Sequence, residues 1–111
     1  MKNSIKISIL TTAIALFIAA CAGSKVSSSN EPTQADVDRN KAIFSNLTLE
    51  ELIQGKAHYE KNCGSCHKLY SPNGESAVGW KKIVPPMAKK AKIDSKTEDL
   101  ILRYLISMSS K

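Results

Sequence analysis

Aromatic residues are scarce in this sequence: two Phe, three Tyr and one Trp in 111 residues. One of them, Phe17, falls in an N-terminal apolar run. Phe44, Tyr59, Tyr70, Trp80 and Tyr104 remain for any folded body. Large rings dominate the buried area of small cores, so a body this lean is marginal if it must close on itself alone. Three cysteines and two histidines are too few for a densely stapled disulfide scaffold. No alternating apolar and polar run is long enough for a strand, which sets the fold class as all-α. The longest apolar run, Ile7 to Ala20, is too short to cross a bilayer comfortably.

That run follows Lys2 and Lys6 and has the length of a signal-peptide core. It ends in Ile18-Ala19-Ala20-Cys21, where small residues directly before a cysteine resemble a bacterial lipobox. Residues 1–20 are therefore expected to be a lipoprotein signal peptide and Cys21 a lipidation site. An ordinary signal peptide cut near Ala20, with Cys21 left as a thiol, is the plainer alternative. Removing the leader leaves fourteen basic residues against ten acidic, a net charge of +4. A charge so small and diffuse does not argue for nucleic acid.

Residues 21–47 read as the lipidated cysteine and a flexible tether. Residues 22–34 (AGSKVSSSNEPTQ) are polar and Ser-rich. Residues 35–47 can hold a short helical piece, with Ile43, Phe44 and Leu47 available to pack. As coil, residues 22–47 would span about 25–30 Å on average. The folded domain is expected at 48–111. Thr48-Leu49-Glu50-Glu51 has the form of a capping box, and the helix after it should run to about Asn62. Leu52, Gly55 and Tyr59 share one face of it. Tyr70-Ser71-Pro72-Asn73-Gly74 is turn-rich. Trp80, Val84 and Met87 recur at helical spacing, but Pro85-Pro86 is expected to break or restart that helix. Asp94 or Ser95 caps a last helix with the apolar set Leu100, Ile101, Tyr104, Leu105 and Met108.

Between the first and second helical segments stands Cys63-Gly64-Ser65-Cys66-His67. Cys-x-x-Cys-His reads as a c-type haem attachment site. On a helical turn, residues three and four apart lie on one side. Cys63 and Cys66 can then form thioethers with the two vinyl groups of a haem, and His67 can present its imidazole to the iron. The second imidazole nitrogen should donate to a backbone carbonyl, for which the Pro72 region is close in sequence. Three other readings compete. A thioredoxin-like pair wants a βαβ context, which is missing. A structural zinc site wants a second ligand pair, and only His58 is left to offer one. A structural disulfide leaves His67 without a role. An export signal places the chain where haem c is attached in bacteria, and a porphyrin would supply the mass that the sparse core lacks.

Over about residues 52–108 the chain resembles the class I monohaem cytochrome c family, as found among small bacterial lipoprotein cytochromes. The resemblance rests on Gly55 and Tyr59 before Cys63-x-x-Cys66-His67, and on Tyr104-Leu105 near the end. It implies three to four helices wrapped around one covalent haem, with the first and last helices crossing where the glycine lets their backbones approach. It also implies a methionine as the second axial ligand, which falls on Met87. Pro85-Pro86 directly before Met87 departs from the family pattern. Met108 reads instead as core and His58 as a solvated helix residue.

An iron held by both His67 and Met87 offers no open position to a substrate, so the expectation is an electron carrier and not an enzyme. Axial Met with His raises the haem potential relative to two histidines. Lys81, Lys82, Lys89, Lys90 and Lys92 surround the proposed ligand segment. They would steer acidic redox partner proteins, or form an ordinary solvated helix face. The expected protein is a monomer tethered by lipid to the inner or outer membrane, on the periplasmic side of the bacterial cell envelope. A gas-binding or sensory haem module with a labile sixth ligand is the alternative from a different class.

Overall fold

The computed structural model describes residues 30–109; the leader and Cys21 lie outside the described residues. Four α-helices follow in order: α1 (Gln34–Asn40), α2 (Leu49–Cys63), α3 (Ala77–Ala91) and α4 (Ser95–Ser109), with a 3-10 turn at Pro72–Gly74 between α2 and α3. The described residues contain no strand, so the fold is all-α, consistent with the expected cytochrome c-like wrap of helices.

Local chemistry sets the helix starts. At α2, the Glu51 N–H donates to Thr48 Oγ1 at 3.2 Å and the Thr48 N–H donates to Glu51 Oε2 at 3.0 Å, closing the capping box. At α3, Ser76 Oγ accepts from the Gly79 N–H at 3.0 Å. At α4, Asp94 Oδ1 accepts from the Thr97 N–H at 2.8 Å, so Asp94 rather than Ser95 is the cap.

The largest interface is between α2 and α4. Leu52, Gly55 and Tyr59 on α2 and Leu100, Ile101, Tyr104, Leu105 and Met108 on α4 are all buried. The pairing depends on Gly55. A Cβ there would lie 2.1 Å from the Leu100 carbonyl oxygen and 2.8 Å from Tyr104 Cβ, so only hydrogen fits between the backbones. Arg103 fastens the outer side of the same interface. It bonds Asp99 at 2.7 Å, reaches Glu51 at 3.6 Å and lies over the Phe44 ring, 5.3 Å from its centre.

Two findings depart from the sequence expectations. First, α3 runs unbroken through Pro85 and Pro86. Proline removes the N–H that the carbonyl four residues back would accept, here those of Lys81 and Lys82. Both lysines and both prolines are exposed, so water can take over those acceptors and the helix persists. Second, Asn30–Leu47 is not a free tether. Helix α1 packs on α4 and α2, with Val37 and Leu47 buried against Leu52. Polar groups complete the seam. The Thr33 N–H and hydroxyl both donate to Asp36 Oδ2, at 2.8 and 2.7 Å, and Arg39 pairs with the same carboxylate. Asn40 Nδ2 donates to Ser107 O on α4 at 3.2 Å. Of the three side chains expected to pack here, Leu47 is buried, Phe44 half-buried and Ile43 exposed.

Candidate haem site

The C-terminal end of α2, the segment after it and the inner face of α3 enclose a cavity of about 430 Å³, within the range of small-molecule and cofactor sites. Cys63, Cys66, His67 and Met87 all line it, with Tyr59, Trp80, Ile83, Val84, Ile93 and Ile101 among its other walls. The sequence separates Met87 from His67 by twenty residues; the fold brings the two to one cavity. Met108 is instead buried in the core between α4 and its neighbours, and His58 is half-buried on α2 away from the cavity lining.

The few aromatic residues are concentrated at this site. Tyr59 meets Trp80 edge-on at 6.3 Å and Tyr104 at 6.1 Å. Tyr70 is 66% exposed, and its ring lies 5.6 Å from that of His67. The core and the cavity therefore share a wall, and a flat apolar group in the cavity would extend the core.

Each proposed attachment residue has a readable environment. Cys63 closes α2 and is half-buried, whereas Cys66 is exposed; both are free thiols. Burial, and then the neighbouring Cys66, push the Cys63 thiol above its ordinary range. That is the reverse of the depression that makes a thioredoxin-type cysteine reactive. His67 Nδ1 lies 2.8 Å from the Lys68 carbonyl. A carbonyl only accepts, so Nδ1 carries the proton and Nε2 keeps its lone pair for a metal. The orienting carbonyl is thus that of the adjacent residue. The Pro72 carbonyl, expected in that role, accepts from Trp80 Nε1 at 2.8 Å, because the 3-10 turn places it against α3.

Among the described residues no three His, Cys, Asp or Glu side chains gather as a metal-holding group, so the motif lacks the partners of a structural zinc site. Its surroundings suit a planar, largely apolar group fixed at one edge by two thiols and approached by one imidazole nitrogen. Sequence reasoning did not anticipate the contributions of Ile83, Ile93 and the Tyr59 hydroxyl. Ile83 continues the helical stripe of Trp80, Val84 and Met87 and could have been read from it; Ile93 lies between α3 and α4, outside any helical period, and it and the hydroxyl contact had no signal in the sequence.

These features are the ones that covalent attachment of a c-type haem requires. Residues 59–111 match the sequence model of the family described as dihaem cytochrome c, a match over just under half of the chain. The match indicates an electron-transfer haem protein with covalently bound haem c. Comparison with curated proteins and with solved structures gave no match. The matched family is dihaem, whereas this sequence holds one Cys-x-x-Cys-His.

Proposed function

We propose that this chain is a monohaem c-type cytochrome that carries single electrons between respiratory partners while tethered by lipid outside the cytoplasmic membrane. The observation that carries this reading is the convergence of Cys63, Cys66, His67 and Met87 on one apolar-walled cavity. Cys63 and Cys66 would hold the haem through thioethers, and His67 Nε2 and the Met87 sulfur would hold its iron. When bound, the haem supplies a one-electron ferric–ferrous couple. Ile83, Val84, Ile93 and Ile101 exclude water from it, and Lys68 O fixes the plane of the His67 ring.

Cys21, after Ile18-Ala19-Ala20, carries the lipid that holds the domain on the periplasmic side. The partners are acidic redox proteins. Residues 61–93, which contain the attachment motif and α3, hold seven lysines and one acid, Glu75. None of those lysines enters an ion pair among the described residues, so their field is open to a docking protein.

The test is a pyridine-haemochrome spectrum with an intact mass of the matured protein. One haem c per chain, with covalent loading lost in Cys66→Ser, is the expected result. A colourless protein of unmodified mass would overturn the proposal. One observation favours the second reading, a gas-binding module with a labile sixth ligand: Pro85 and Pro86 deprive α3 of two backbone donors directly before Met87. Fast stoichiometric CO binding by the reduced protein would select it over the carrier.

A further inference from the structure

Tyr59 carries a hydroxyl that packing alone does not require. Its ring is buried against Trp80 and Tyr104, where phenylalanine would fill the same space, and burying a hydroxyl is costly unless it is hydrogen-bonded. Both of its bonds go to one loop residue. The hydroxyl donates to the Tyr70 carbonyl at 2.9 Å and accepts from the Tyr70 N–H at 3.1 Å. A single group that takes both main-chain functions of a residue fixes the peptide planes on either side of it. Two residues further on, Trp80 Nε1 donates to the Pro72 carbonyl at 2.8 Å. The two anchors rise from different helices, and their rings touch at 6.3 Å.

The loop held in this way contains both neighbours of the His67 imidazole. Lys68 O meets its Nδ1 at 2.8 Å, and the Tyr70 ring lies 5.6 Å from it at an interplanar angle of 46°. Tyr70 is mostly exposed, so burial does not hold it in place.

We infer that the Tyr59 hydroxyl and Trp80 Nε1 are positioning groups that clamp residues 68–72 and thereby set the plane of the His67 imidazole toward the haem iron. This rests on the haem reading above. Burial raises the Tyr59 phenol above its ordinary value, so it remains a protonated donor across the usual pH range.

The experiment compares Tyr59→Phe with Tyr104→Phe in the full-length, haem-loaded protein. Tyr104 is a matched control, because its hydroxyl also bonds a main-chain carbonyl, that of Asn30 at 3.2 Å, but far from the attachment loop in sequence. The first readout is the pattern of paramagnetically shifted haem-methyl NMR resonances of the ferric protein, which reports the orientation of the axial imidazole. The second is amide hydrogen exchange at Tyr70. Tyr59→Phe should rearrange the methyl pattern and speed Tyr70 exchange by about fivefold or more; Tyr104→Phe should change neither. A wild-type pattern in Tyr59→Phe, or an equal change in Tyr104→Phe, would overturn the inference. If Tyr59→Phe does not mature, Trp80→Phe removes the other anchor: a rearranged pattern supports the clamp and a wild-type pattern refutes it. A parent protein that carries no haem would sink the reading beneath, while the Tyr70 exchange arm would still decide whether the clamp exists.

Discussion

Replacing Gly55 with alanine sets two physical effects against each other. Helix propensity favours the change by about 1 kcal/mol, since glycine is the poorer residue in a helix interior. Packing opposes it. The new methyl would sit 2.1 Å from the Leu100 carbonyl oxygen, where ordinary contact begins near 3.4 Å, and the obstacle is backbone rather than a side-chain tip that could swing aside. Helices α2 and α4 must therefore separate by about 1 Å, and a gap of that size forfeits roughly a quarter to a half of each atomic attraction across the seam. Overpacking of this kind costs about 1–3 kcal/mol and occasionally more. With the collision against main chain, the upper end applies, leaving a net loss of about 2 kcal/mol after the propensity gain. For a domain of this size that lowers Tm by about 8–16 °C. Thermal unfolding followed by far-UV circular dichroism measures it. Gly74→Ala is the control, because a Cβ at Gly74 meets nothing within 4 Å, and its Tm should stay within a few degrees of the parent. An unchanged or higher Tm for Gly55→Ala would refute the argument that close backbone approach is what this position requires.

Met87→Ala should abolish the weak Met–Fe(III) charge-transfer band and lower the reduction potential, as read by optical redox titration; an unchanged spectrum would reassign the ligand. Cys21→Ser should move the protein from the membrane fraction to the soluble one on fractionation, and retention at the membrane would disprove the lipid anchor. The Thr97 N–H holds the Asp94 carboxyl below its ordinary value. Because the folded-state value is the lower one, the stabilisation is complete above about pH 4 and is lost as pH falls through the depressed value. Asp94→Asn keeps a capping oxygen but does not titrate, so its Tm should fall less than that of the parent between about pH 5 and pH 2; parallel curves would exclude this cap as a contributor to acid sensitivity.

The parts of this molecule that were legible in the sequence are those specified by local rules. Thr48 and Glu51 mark the start of α2 because both partners of the capping box lie within four residues. The apolar set of α4 follows helical periodicity and is buried as that spacing requires. Cys63, Cys66 and His67 are one turn of chain, so their convergence needs no tertiary information. What was not legible depends on contacts between distant residues or on solvent. Pro85-Pro86 reads as a break because the rule for proline concerns lost donors, but here the orphaned acceptors lie on an exposed face. Residues 35–47 read as no more than a short helical piece at the end of a tether, because Asp36 and Asn40, polar side chains that composition assigns to solvent, are buried in the seam of α1 with α4. The Thr33-x-x-Asp36 spacing was the one local signal for it, and it repeats the pattern at Thr48-x-x-Glu51.

The docking of residues 30–47 changes what a tether can do. The Asn30 carbonyl is held by the Tyr104 hydroxyl, Glu31 reaches Lys56 at 3.3 Å and Pro32 is buried, so the chain is fastened to the domain from residue 30 onward and not only from residue 47. With Cys21 lipidated, as proposed, only the nine peptide steps from Cys21 to Asn30 separate bilayer from domain, a reach of at most about 30 Å. A carrier on so short a lead exchanges electrons with partners held at the same membrane surface, and the lead length becomes a kinetic variable. Deleting residues 23–27 cuts the reach to about 13 Å without touching the described fold. Reduction by a membrane-embedded donor should then slow several-fold in reconstituted vesicles, while oxidation by soluble ferricyanide keeps its parental rate. Equal rates with the membrane donor before and after the deletion would mean that the lead does not govern encounter, and that the partner meets this domain in the bulk of the compartment.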